Sequence, residues 1–139
     1  MFKSIFVDVG FESLSKSRVR LAADLAKRFE AALTGFSAAS VQPPIMTEAG
    51  VVVQMPFLNN TIQTIQEQLA RLEAEFHGQA ASAAWVGNVD DPTSALAREA
   101  SAADLIVTSA GFGGGPYNSF SSVDGGDLAI KAGRPILIV

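Results

Sequence analysis

The stretch TSAGFGGGPYNSFSSVDGG, Thr108 to Gly126, follows an apolar run and precedes a short helical pattern. Glycines between a strand and a helix let the backbone approach a phosphate, and the amides that open the helix donate to it. Gly111, Gly113 and Gly114 provide the flexible part of this loop, and Ser119, Ser121 and Ser122 add hydroxyls. From Thr108 to Ile130 there are two acidic residues, Asp124 and Asp127, and no basic one. A carboxylate close to a triphosphate is unfavourable unless Mg²⁺ intervenes.

Other chemical patterns fail on spacing. A P-loop requires Lys and Ser or Thr straight after its last glycine, and nothing basic lies between Arg98 and Lys131. A G-x-G-x-x-G fingerprint opening at Gly111 would end on Pro116, not glycine. His77 is the single histidine and there is no cysteine, which removes disulfides, thiolate chemistry and any ordinary zinc site. His77 falls near the end of a helical pattern, where a cation suits the helix dipole. Asp90-Asp91 reads as a turn and a cap. No nucleophile, base and orienting group can be assembled, so the sequence is not read as an enzyme.

The elements that position these residues alternate. A strand is expected over Phe2 to Val9, a helix from Ser15 to about Glu30, and a second strand over Ala31 to Ala39. Val19, Ala22, Ala26 and Phe29 recur at helical spacing, with Lys16, Arg20, Asp24 and Lys27 off that stripe. Asn60 is placed as the cap of a helix whose apolar face is Ile62, Ile65, Leu69, Leu72 and Phe76. The third strand is expected at Ala80 to Val86, and a helix from Asp91-Pro92 to about Ser101. A fourth strand, Asp104 to Thr108, leads into the glycine loop. Ser121 or Ser122 then caps a helix to Ala132, Gly133 closes it, and PILIV is the fifth strand. Ser40 to Asn60, with Pro43, Pro44 and Pro56, is either a loop packed over apolar surface or a lid.

This pattern predicts an α/β fold: residues 1–139 as one three-layer domain, a five-stranded parallel sheet with helices on both faces. Ligands bind such sheets beyond the carboxyl ends of the strands, where strand order reverses, and the loops after Val9 and Thr108 would lie on that edge. At 48% hydrophobic and 17% charged residues the chain is globular, and a net charge of −4 argues against nucleic-acid binding. No apolar stretch reaches the ~18 residues of a membrane span, and the first apolar run stops at Asp8, so a cytoplasmic protein is expected.

With the strands in order, SIFVDVG, GNVDDPTSALAREASAADLIVTSA and the closing AIKAGRPILIV make the chain similar to the universal stress protein family along almost its whole length. The resemblance implies a Rossmann-like, adenine nucleotide alpha hydrolase-like sheet and a dimer. In one branch of the family it implies ATP or AMP, with Mg²⁺, at the loop after the fourth strand. An aspartate ending the first strand lies near adenine and ribose in that branch; here it would be Asp8, followed by Val9. The alternative is that Asp8 ends the strand and caps the turn. The branch's phosphate loop reads G-x-x-G, nine residues, then G-S or G-T. Without gaps from DLIVT, this chain places Ser109, Phe112, Ser122 and Val123 there. A shift of two residues gives Gly111 and Gly114, but then Asp124 and Gly125.

Both frames depart from the motif, and ATP held in the family's usual way is not expected. The function implied is a stress-response regulatory module acting as a dimer. The alternative is an ATP or AMP switch built on Asp8 and the 109–122 loop. The apolar final strand is read as the surface of a homodimer, or the chain as the second repeat of a tandem protein.

Overall fold

The computed structural model describes residues 2–41, 46–47, 50–51, 55–110 and 120–139. In chain order the elements are β1 (Ser4–Asp8), α1 (Lys16–Phe29), β2 (Ala32–Ala39), β3 (Met46–Thr47), β4 (Gly50–Val51), α2 (Met55–Gln79), β5 (Ala84–Val89), α3 (Pro92–Glu99), β6 (Leu105–Thr108), α4 (Gly125–Ala132) and β7 (Ile136–Ile138). Five strands form one parallel sheet in the order β5-β2-β1-β6-β7. The expected α/β architecture is therefore present, and β3 and β4 add a small antiparallel hairpin.

Connection direction reverses between β1 and β6. From β1 the chain steps to β2 and β5 on one side, then crosses back to β6 and β7 on the other. The crevice at the carboxyl ends of β1 and β6 is thus the switch point of the sheet.

Each face of the sheet buries its own core. Under α1 and α2 lie Ile5, Val7, Val9, Val19, Ala22, Leu72, Phe76 and Val107. Under α3 and α4 lie Phe36, Ala95, Leu96, Ile106, Val123 and Leu128. Fully burying a side chain of this size contributes roughly 1.5–3 kcal/mol. Gly35 in β2 makes one contact possible: a Cβ there would meet the Phe76 ring at 2.7 Å. The bare backbone lets the Phe76 ring lie directly on the sheet.

Three boundaries differ from expectation. Helix α2 starts at Met55, so Asn60 lies inside it and not at its start. Pro56 sits in the first turn, where a missing amide costs no intrahelical bond, so the helix accommodates it. The third strand lies at Ala84–Val89, not Ala80–Val86. Helix α2 runs on to Gln79, Ala83 N–H closes a turn on Ala80 O, and β2 then offers Ser37, Ala38 and Ala39 as partners for Gly87, Asn88 and Val89. Helix α4 is capped by Asp124, with Oδ1 accepting from Gly126 N (2.9 Å) and Asp127 N (3.2 Å), not by Ser121 or Ser122. The other caps agree: Asp91 accepts from Ser94 N, and Gly133 closes α4 in the left-handed conformation.

The Ser40 to Asn60 connection becomes the hairpin and the first turns of α2; its remaining residues, 42–45, 48–49 and 52–54, lie outside the described residues. Among the described residues no helix is long and apolar enough to cross a membrane.

Candidate functional site

Asp8 ends β1 and Thr108 ends β6, side by side at the switch point. Both are buried, and Thr108 Oγ1 donates to Asp8 Oδ2 at 2.9 Å. The Gly10 amide donates to Asp8 Oδ1 at 3.1 Å. A carboxylate taken out of water needs such donors, and here each oxygen has one. Asp8 therefore performs the structural role foreseen for it. Each oxygen keeps a second acceptor position, so it can also meet a ligand hydroxyl.

The turn after β1 is held from several directions. Gly10 has φ +95°, and Ser13 O lies 2.7 Å from where its Cβ would be, so only glycine fits. Gly10 O accepts from Ser37 Oγ at 2.7 Å, which ties the turn to β2. Gln68 of α2 donates to the carbonyls of Phe11 and Glu12. Ser121 Oγ donates to Glu12 Oε1 at 3.3 Å, and Ser40 N–H to Phe120 O at 2.7 Å. The segments following β1, β2 and β6 thus converge on one rim. Beside it a cavity of about 570 Å³ opens between the β1 turn and α2, lined by Phe11, Glu12, Thr61, Ile65, Gln68 and Arg71 among others.

Of the residues singled out in the sequence, Asp8, Val9 and Ser121 come together here. Val9 is fully buried; its N–H donates to Phe36 O and its carbonyl accepts from Ser15 N–H. Ser122 is half-buried next to Ser121. Gly111, Gly113 and Gly114 lie outside the described residues. His77 lies in the last turn of α2 with Nε2 3.0 Å from Ala83 O, at the end of the helix away from its start.

The two helices that begin near this rim are opposites. The Asp124 carboxylate occupies the start of α4, and Thr93 Oγ1 accepts from the Asp124 amide at 2.9 Å. At α1 the capping residue, Ser15, makes no side-chain cap bond and no acidic residue lies in the first turn. Arg18, in that turn, is buried at 8% exposure, and its Nε has no hydrogen-bond partner among the described residues. Sequence reasoning missed Thr108 and Arg18. Thr108 was legible as the strand end opposite Asp8, whereas Arg18 sits next to Val19 on the buried stripe with nothing in its surroundings to mark it.

No family model and no curated protein matches the sequence. Solved structures do. A universal stress protein in complex with cAMP is 22% identical, with a TM-score of 0.54 over 99% of this chain and 97% of that chain. A protein from the universal stress protein family from Burkholderia pseudomallei is 16% identical, with a TM-score of 0.55 over 99% and 96%. The chain has the universal stress protein fold. A third structure with this fold, the universal stress protein from Archaeoglobus fulgidus in complex with dAMP, is 16% identical with a TM-score of 0.53 over 99% and 97%. Coverage is nearly complete in both directions, so the universal stress protein fold accounts for the whole chain and not for a fragment of its sheet.

Proposed function

We propose that the chain is a regulatory module of universal stress protein type that acts by contact, as a homodimer paired through β7, and not by catalysis. The observation that carries this reading is the apolar edge. Ile138 is 47% and Val139 51% exposed at the β7 edge, and Ile130 of the adjacent α4 is 84% exposed. An edge strand with free backbone groups and apolar side chains invites a second copy. Light scattering on the purified protein tests it: a dimer is expected for the wild type and a monomer for Ile138→Lys. A wild-type monomer at micromolar concentration overturns it.

Under the same proposal the family's phosphate motif is not used. The helix start at which that motif would deliver a phosphate, α4, already holds the Asp124 carboxylate. A second reading, an adenine-nucleotide switch, is favoured by Asp8 at the switch point, and two of the neighbours in fold are complexes with cAMP and dAMP. Calorimetric titration with ATP and AMP, with and without Mg²⁺, separates the two. Micromolar heats favour the switch, and their absence leaves the contact module.

A further inference from the structure

We propose that the N-terminus of α1 and Arg18 form an anion subsite for a phosphate monoester, separate from the glycine loop. Helix α1 spans Lys16–Phe29, long enough for its dipole and its free first-turn amides to attract an anion. A capping side-chain oxygen or an acid in the first turn can meet that need. Here Ser15 makes no cap bond, and the first turn carries Lys16 and Arg18. Cations at a helix start are unfavourable toward its dipole, and a bound anion would offset that.

Arg18 supplies the independent observation. Helical side chains lean back toward the N-terminus, and Arg18 Nη2 comes within 3.5 Å of the Cβ position at Gly10, in the turn after β1. The side chain is more than nine-tenths buried, its Nε is unpartnered, and among the described residues the guanidinium makes no hydrogen bond or ion pair. A buried cation without a counter-charge is costly, and a chain of net charge −4 has no general shortage of carboxylates. Yet the two carboxylates of this turn are directed elsewhere. Asp8 is engaged by Thr108 and Gly10, and exposed Glu12 by Ser121.

A phosphate fits the guanidinium fork and the helix amides together. Gly10 is close to both groups: Arg18 Nη2 lies 3.5 Å from its Cβ position, and its amide donates to Asp8, whose carboxylate keeps acceptor capacity. A monoester of a hydroxyl-bearing group, such as a sugar phosphate, would place phosphate on Arg18 and a hydroxyl on Asp8.

The test uses the full chain, with inorganic phosphate and AMP as probes at chloride-matched ionic strength, read by thermal shift and calorimetry. The wild type is expected to be stabilised by both, with AMP binding more tightly than phosphate. Arg18→Met should weaken both by ~10-fold or more, while the ligand-free variant melts no lower than the wild type because an uncompensated charge is gone. Binding of phosphate but not AMP would assign the subsite to the free ion. Equal responses in wild type and Arg18→Met, or none in either, overturn the proposal. If Arg18→Met does not fold, Arg18→Lys keeps the charge and loses the fork, and undiminished binding in it overturns the proposal equally. The readout does not depend on dimerisation, so failure of the dimer reading leaves it intact.

Discussion

Thr108 Oγ1 donates to Asp8 Oδ2 at 2.9 Å, a bond between residues a hundred positions apart that ties β1 to β6 at the point where the sheet changes direction. Thr108→Val keeps the shape and removes the donor, leaving a buried carboxylate oxygen short of a partner. The expected loss is about 1–3 kcal/mol, read as a lower urea midpoint with unchanged slope. An unaltered midpoint would mean that water reaches Asp8 and that the site is more open than its burial indicates.

Gly35→Ala places a methyl where the Phe76 ring now lies, 2.7 Å from the new Cβ. Overpacking of this kind costs about 1–3 kcal/mol. Phe76→Leu in the same chain relieves the clash, so the two substitutions together should be less damaging than the sum of their separate effects. Strict additivity in a double-mutant cycle would contradict the contact.

Asp124→Ala removes the cap of α4, whose Oδ1 accepts from two first-turn amides. Loss of ~1 kcal/mol is expected. The vacated helix start should also become a better place for an anion, so phosphate should stabilise Asp124→Ala more than it stabilises the wild type. A smaller or equal shift would refute the view that Asp124 occupies that helix start in place of a ligand.

Asp104 accepts from the amides of Lys3 (2.7 Å) and Ser4 (3.1 Å), fastening the start of β1 to the start of β6. Chiefly through the Lys3 amide, these bonds hold its carboxyl below the ordinary 3.8. Its contribution to stability is complete where the unfolded chain is also ionised, above that ordinary value, and disappears as pH falls through the lower folded value. Asp104→Asn should therefore lower the melting temperature at neutral pH, and the difference from the wild type should shrink on acidification below about 4. A difference that is constant with pH would show that the carboxylate's charge plays no part.

The fold was largely legible because its signals are local. The run Ile65, Leu69, Leu72, Phe76 faces one way on any helix, and Asp91-Pro92 opens a helix wherever it occurs. Boundaries failed where a partner decided them. Ala80 to Val86 has the composition of a strand, but β2 selects Ala84–Val89 by offering its own backbone as far as Ala39. Ser121 and Ser122 are good capping types, and Asp124 displaced them because its carboxylate reaches two amides at once.

By itself, then, the sequence determined a parallel α/β sheet and Asp8 as the end of its first strand, since hydrophobic period and turn chemistry act within a few residues. Only the tertiary structure decided what Asp8 touches, that an aspartate closes the start of α4, and that Arg18 is buried beside Gly10 without a counter-charge among the described residues. Those facts depend on which distant groups the strand order brings within hydrogen-bond distance, and spacing along the chain carries no record of them.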